Sequence, residues 1–346
     1  MHYKENIPLA SLTTMRLGGT ARYVVEITST NELVAAVSYA RDRGIPWFVL
    51  GAGSNVIAQG NYDGLIILNR IKGFELVSQD CNFALYRIGA GEIWDETVER
   101  LVNLRLSGVE AMSAIPGYMG ATPIQNVGAY GQEIAHSLVE LEAYDTNTNQ
   151  FSVLRAEDCR FSYRNSIFKN PKTRHHIISS VTLRLGKQQL APPFYPSLAE
   201  HLETLSITDF SPVNLRNAVI AIRGSKLPDP QLIASAGSFF KNPVVGNLEA
   251  RELLALHPSA PHWEMSDGLI KFSAGWLIEM AGLKSYRAHG MQIYPDNALV
   301  VTNLCARSPK DLELFKAEVV LGVKTTFGIT LEQEPEYIPD ISLRLT

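Results

Sequence analysis

A chain of 346 residues, 46% of them hydrophobic, can bury a large core and divide into more than one domain. With 19% charged residues and a net charge of -4, it has neither the composition of a disordered chain nor the field of a nucleic-acid binder. A phosphate-bearing ligand would therefore have to be met by a local basic cluster. Cys81, Cys159 and Cys305 are far apart and form no CxxC pair, so neither a disulfide framework nor a zinc site is implied, and no other metal-ligand pattern stands out. The start, Met1 to Pro8, lacks the apolar stretch of a signal peptide, and no run of about 18 apolar residues exists to span a membrane. A soluble, reduced, cytoplasmic protein with no nucleic-acid partner and no membrane insertion is expected, and a monomer is the default.

Along the chain, Tyr23–Ile27 reads as a strand. Ser29 with Glu32 three residues on fits a capping box, and Leu33, Val34, Val37 and Ala40 follow helical spacing up to Gly44. Pro46–Leu50 is a short strand running into Gly51-Ala52-Gly53-Ser54-Asn55, and Leu65–Leu68 is another. Ala84–Ile88 is a strand ending in Gly89-Ala90-Gly91. Ile93, Trp94, Val98, Leu101, Val102 and Leu104 then mark an amphipathic helix closing near Gly108. A Gly- and Pro-rich stretch covers Ile115–Gly131. After a turn at Pro228-Asp229-Pro230, helices are predicted at Leu248–Leu256 and Ser273–Leu283. A third starts from Ser308 as N-cap with Pro309 at its first position and reaches about Thr326. Ile329–Ile338 reads as strand. The class is α+β in three parts: 1–70, then 71–227 with 328–346, then 228–327.

Two Gly-x-Gly sequences follow predicted strands, so a dinucleotide fold has to be tested. After Gly51-Ala52-Gly53 no helical period follows, so no helix N-terminus is offered to a pyrophosphate. After Gly91 a helix does follow, but Glu92 would repel the phosphates, and a tight turn needing small residues explains these glycines better. The loop Ile115-Pro116-Gly117-Tyr118-Met119-Gly120-Ala121-Thr122-Pro123-Ile124-Gln125-Asn126-Val127-Gly128-Ala129-Tyr130-Gly131 is the stronger anion site. Its four glycines let a ligand approach free backbone N–H groups, and Gln125 and Asn126 suit the edge of a polar heterocycle. A structural loop packed between domains is the alternative.

At this loop the chain resembles the UDP-N-acetylenolpyruvoylglucosamine reductases. The stretch Ile115–Gly131 is similar to their main flavin-binding signature. Thr14-Met15-Arg16-Leu17-Gly18-Gly19 resembles their opening motif and Leu50–Asn55 their first flavin loop. Cys159–Lys169 resembles their arginine motif, Ala236–Pro243 their serine motif, and Leu331-Glu332-Gln333-Glu334 their C-terminal glutamate motif. The resemblance implies FAD held non-covalently by a two-part module of the vanillyl-alcohol-oxidase type, plus a third, α+β substrate domain. It implies NADPH as hydride source, in a ping-pong cycle that reduces UDP-N-acetylglucosamine enolpyruvate to UDP-N-acetylmuramate, a peptidoglycan precursor. It places the flavin contacts at Gly51, Gly53, Ser54, Asn55, Ile115, Pro116, Gly117, Gly120, Pro123, Gln125, Asn126, Gly128, Ala129, Tyr130 and Gly131. The long segment Gln188–Asp229, with Phe194-Tyr195-Pro196-Ser197-Leu198, resembles the family's longer type and makes Tyr195 the substrate tyrosine, although Pro196 stands where the family has glycine.

The implied reaction adds hydride to the terminal alkene carbon and a proton to its neighbour, which passes through an enolate. The resemblance assigns Arg164 to that charge, as a permanently charged fork of donors. Ser238 is the implied proton donor, where placement matters more than acidity. No Gly-x-Ser-x-Gly elbow surrounds it, which argues against a hydrolase nucleophile. Glu334 is the implied partner of the enolate, as a neutral acid or through a water, with Glu332 as the alternative in a shifted register. On a strand the two glutamates would face the same side. Lys226, Lys241 and Asn242, with Arg223 as a further candidate, are the residues offered to the diphosphate and uridine ends. Each of these charges could equally be a solvated surface group.

Overall fold

The computed structural model describes residues 1–170, 175–265 and 268–338. Tyr62–Asn69 is buried at almost every position, the pattern of a strand covered on both faces. It lies parallel to Thr20–Ile27 on one side and to Trp47–Leu50 on the other, with Lys4–Pro8 antiparallel at the edge. The helix Thr30–Asp42 crosses over and lays Leu33, Ala36, Val37 and Ala40 on this sheet. Ser29 caps it by accepting the Glu32 N–H, but the Glu32 carboxylate reaches back to the Thr28 N–H and hydroxyl rather than to Ser29.

A second sheet is wholly antiparallel, in the order Gln150–Arg155, Leu138–Asp145, His176–Gly186, Phe83–Gly89, Phe74–Gln79. The helix Trp94–Asn103 packs Trp94, Val98, Leu101 and Val102 against it. That helix stops at Asn103, short of Gly108, because Arg105 turns left-handed at φ +60. Gly89 and Gly91 do what a tight turn requires. A Cβ on Gly91 would stand 2.3 Å from the carbonyl carbon of Arg70, and one on Gly89 would stand 2.5 Å from the Ile71 oxygen. Glu92 accepts the Gly73 N–H, so its charge is spent on this turn.

The segment 188–229, left without elements by the sequence reading, forms two helices, Pro196–Thr204 and Pro212–Lys226. Each opens with proline at its first position, a start signal already present in the sequence. They share a small core of Leu198, Leu202, Leu215, Ala218, Val219 and Ile222, to which Tyr130 adds its ring.

The third part pairs Ala234–Ser238, Val300–Asn303, Met291–Ile293 and Arg287–Ala288 in one sheet and Val244–Val245, Ile270–Phe272 and His262–Glu264 in another. The helices Asn247–Leu256, Ala274–Met280 and Pro309–Phe327 cover them. Ser308 and Asp311 form a reciprocal capping box, and Gly328 closes the last helix in the left-handed conformation. Beyond Gly328 the predicted strand is mostly irregular. Gln333 bridges to Phe240, then only Glu336–Ile338 forms a strand. That strand runs parallel to Val56–Ala58, so the C-terminal return, which the sequence reading grouped with the second part, makes its strand pairing with the first and its ion pairs with Arg164 and Lys169 of the second. Its residues 339–346 lie outside the described residues.

Gly91→Ala forces a Cβ into backbone that cannot move without separating the turn from the second sheet. It should cost about 2 kcal/mol or more, read as a fall in Tm by circular dichroism. An unchanged Tm would show that the turn can shift.

Candidate active site

The glycine loops of the first two parts face each other across a cleft. A cavity of about 250 Å³ is lined by Gly51–Val56, Ile115–Tyr118, Gln125 and Gly128, and by Arg164, Arg223, Ser238 and Glu334. It shares Val49, Gly51, Tyr118, Ala121 and Ile124 with a second cavity of about 670 Å³, which extends past Gly120 to Thr146 and His176. The loops are pinned to one another. The Ser54 hydroxyl donates to the Pro116 carbonyl at 2.9 Å, and the Asn55 amide donates to the Gln125 side-chain oxygen at 2.5 Å. Gly53 sits at φ +65, where a Cβ would come within 2.0 Å of the Leu12 oxygen, so no other residue fits this loop.

The expected flavin contacts divide. Gly51, Gly53, Ser54, Asn55, Ile115, Pro116, Gly117, Gln125 and Gly128 line the smaller cavity, and Gly120 lines the larger. Pro123, Ala129, Tyr130 and Gly131 line neither. Asn126 is buried and its side chain is fully spent. Its amide donates to Glu133 and to the Ser162 carbonyl, and its oxygen accepts the Ala135 N–H. This residue holds the loop to the arginine motif instead of offering an edge to a heterocycle. Tyr130 turns the other way, its ring 5.8 Å from that of Tyr195 and perpendicular to it.

Arg164, Ser238 and Glu334 all line the smaller cavity. Arg164 stands at φ +53 in a turn closed by paired backbone bonds between Ser162 and Asn165. One guanidinium nitrogen donates to the Gly128 carbonyl at 3.1 Å. Its Nε lies 3.0 Å from a Glu334 carboxylate oxygen, an ion pair by distance whose N–H is not aligned as a hydrogen bond. Burial opposes the charge on Arg164, but Glu334, Tyr163 and Glu133 outweigh it and raise its pKa. Glu334 is therefore the ion-pair partner of Arg164 in this structure. Glu332 is no alternative to it. The segment is not a regular strand at this point, and Glu332 is exposed and paired with Lys241 at 3.1 Å, whereas Glu334 is buried.

Ser238 ends the strand Ala234–Ser238, whose register against Val300–Asn303 shifts between Ser235 and Ser238. Such a bulge re-aims the side chain that follows it. The Ser238 hydroxyl makes no hydrogen bond among the described residues, so it caps no turn and faces the cavity unspent.

The residues offered to the substrate are spread out. Arg223 lines the smaller cavity, its Nε buried without a hydrogen-bond partner, and burial lowers its pKa. Tyr195 is partly exposed at the start of its helix, and burial raises its phenol. Lys226 is exposed at the end of the next helix and lines neither cavity of the cleft. Lys241 and Asn242 open on a separate cavity of about 450 Å³ beside Tyr163, and the Asn242 side-chain oxygen already accepts the Ala274 N–H. Sequence reasoning missed Arg70, whose guanidinium lies 4.5 Å over the Tyr118 ring at the cleft, and Lys271, whose ammonium stands 4.7 Å from the Tyr163 ring centre. Neither sits in a motif that could have marked it. Cys159, inside the arginine motif, is buried with its thiol raised to about 12, which leaves it inert.

Residues 21–152 match the FAD binding domain family, and residues 229–338 match the C-terminal domain of UDP-N-acetylenolpyruvoylglucosamine reductase. The chain is 39% identical over 333 residues to the UDP-N-acetylenolpyruvoylglucosamine reductase of Cupriavidus pinatubonensis, covering 96% of this chain and 98% of that one. The chain belongs to the UDP-N-acetylenolpyruvoylglucosamine reductase family. The enzyme of that name from Blochmanniella pennsylvanica is 40% identical over 301 residues, 87% of this chain and 86% of the relative. The crystal structure of the Thermus caldophilus enzyme, 24% identical, superposes with a TM-score of 0.67 over 97% of this chain and 99% of that one, and supports the fold. Membership and the FAD domain make this an FAD-dependent oxidoreductase with the α+β fold of the family. Among the described residues, no helix is long and apolar enough to cross a membrane.

The helix that carries Arg223 is fixed by Arg216, which clamps Asp95 at 2.5 and 3.1 Å, while Asp95 also accepts the Ala114 N–H. Burial pushes the Asp95 carboxyl up, but the bonds from Arg216 and Ala114 outweigh it and hold its pKa below the ordinary value. A depressed folded-state pKa gives stability that is fully present above the unfolded value of about 3.9 and is lost as pH falls through the folded one. Asp95→Asn should thus unfold below wild type in thermal melts above about pH 5, with the gap closing as the medium becomes more acid than about pH 4. A gap of constant size down to acid pH would mean that Asp95 acts by shape and not by charge.

Proposed function

We propose that this enzyme reduces UDP-N-acetylglucosamine enolpyruvate to UDP-N-acetylmuramate, taking its reducing equivalents from NADPH through non-covalently bound FAD. The step belongs to peptidoglycan precursor synthesis. The observation that carries this reading is the unspent Ser238 hydroxyl, facing the same cavity as the Arg164–Glu334 pair and the two glycine loops. The cleft suits a long, flat cofactor. Two cavities with shared walls run between the loops, and glycines at the contact points leave backbone accessible where side chains would block it. Gly51–Asn55 and Ile115–Gly117 would hold the cofactor. FAD supplies the hydride that the alkene carbon receives.

The protein's own part is charge and proton placement. As the terminal alkene carbon gains hydride, negative charge grows on the neighbouring carbon and its carboxylate. Arg164 stands fixed by the Gly128 carbonyl and Glu334, so this charge meets a guanidinium that needs no reorientation. Ser238 gives its proton to the carbon on the face it occupies, and the alkoxide left behind is held in the field of Arg164 until a proton returns from solvent. Arg223, buried at the same cavity with an unpaired Nε, meets the substrate's carboxylate or phosphate in place of the missing partner. Tyr195, packed against Tyr130, closes the side of the cleft where the sugar nucleotide enters. Lys241 and Asn242, beside Tyr163, are offered to a more distant part of the substrate, and Lys226 adds only field at the rim.

An anaerobic visible spectrum tests the whole reading. NADPH should bleach the flavin band and the enolpyruvyl substrate should restore it. Ser238→Ala should still bind FAD and be bleached at the wild-type rate, with the restoring half-reaction slowed about 10²- to 10⁴-fold. A band that the substrate cannot restore in the wild type would discard the named substrate, and equal restoring rates in the variant would discard Ser238 as the proton donor.

A further inference from the structure

We propose that Asp145, His175 and His176 form a binding site for one divalent cation of the zinc type, at the far end of the larger cavity from the catalytic group. One ligand atom from each of the three lies within 4.8 Å of the others. The frame that brings them together is rigid. Asp145 and His176 are directly opposed across the antiparallel ladder, and the Thr146 N–H donates to the His175 carbonyl at 2.9 Å. Consecutive strand residues normally point to opposite faces. His175 lies just before the strand begins, so its ring swings to the same side as that of His176, with centroids 4.2 Å apart.

The carboxylate is oriented in advance. One Asp145 oxygen accepts the N–H groups of Asn147 and Thr148, which fixes the orientation of the carboxylate. His175 Nε2 stands 3.8 Å from that same oxygen. Ligand atoms around a tetrahedral zinc lie about 3.3 Å apart, given bonds of about 2.0–2.1 Å, so modest side-chain rotations complete the shell. Two imidazole nitrogens with one carboxylate select borderline metals such as zinc, nickel or copper over magnesium and calcium. Three protein ligands leave a coordination position open. His175, His176 and Thr146 line the larger cavity, so that position is reachable from it. The histidines lie 30 and 31 residues beyond Asp145 in sequence, which is why cysteine spacing and short motifs gave no sign of the site. It uses none of the residues placed in the reaction and does not depend on the proposed substrate.

The test uses the FAD-loaded protein, stripped of metal by a chelator and desalted, in a Cys81→Ser/Cys305→Ser background so that exposed thiols do not compete. Zinc titrated against a chromophoric chelator should show one tight equivalent, and magnesium none. His175→Gln and His176→Gln should each weaken zinc binding by about tenfold or more while keeping the circular dichroism spectrum. Paramagnetic cobalt, added to the protein with all its histidines, should broaden the imidazole resonances of His175 and His176 ahead of the others, a readout that needs no ligand substitution. No saturable zinc binding would overturn the proposal and leave an ordinary histidine–carboxylate contact. Undiminished binding in the doubly substituted protein, or broadening at other histidines first, would overturn it equally.

Discussion

Arg164 and Glu334 come from segments 170 residues apart and meet at 3.0 Å between parts of the chain that share no sheet. A half-buried guanidinium needs partners, and here they are a carboxylate and the Gly128 carbonyl of the glycine-rich loop. The contact therefore fixes three segments at once: the arginine motif, the flavin loop and the C-terminal return. Around it the backbone takes left-handed turns at Asn126, Tyr130 and Arg164, each local strain held by the surrounding bonds. The return is tied further. The Glu334 N–H donates to the Phe239 carbonyl, and the next residues pair with Val56–Ala58 beside the first glycine loop. Glu334 thus sits where the serine strand, the arginine turn and the first loop converge.

The paired helices after residue 195 add a second constraint on the same cavity. Their small core would be marginal alone, and it is completed by Tyr130 from the flavin loop. The Asp95–Arg216 clamp sets where the second helix lies and hence where Arg223 points. Arg223 carries the cost of burial without an ion pair among the described residues, a cost that an anionic ligand would offset. By contrast Lys226, one turn further and the last residue of the helix, is exposed, so position along the helix separates a cavity residue from a surface one.

Short local signals were legible. Ser308 and Pro309 opened their helix in the sequence as they do in the fold, its end was read within a residue of the observed Phe327, and the glycines of Gly89-Ala90-Gly91 were read as the turn they form. Pro196 and Pro212 were equally good start signals that went unused, because the weak periodicity of those helices reflects a core only partly their own. Of the second sheet only Ala84–Ile88 was read as a strand, and its pairing was not, because antiparallel partners such as Leu138–Asp145 and His176–Gly186 lie far apart along the chain. Register across such a gap has no local mark.

What the sequence determined by itself is what depends on residue type at fixed spacing. The motifs marked the family, and the resemblance they carry pointed to the glycine loops and to Arg164, Ser238 and Glu334, which line one cavity. Tertiary structure decided which of two neighbouring glutamates enters the site, since the direction of Glu332 and Glu334 follows from an irregular segment caught between two partners. It decided that Asn126 is spent on Glu133 and Ser162, and that the C-terminal strand pairs with the first part of the chain. Each of these depends on contacts between residues distant in sequence, which no local pattern encodes.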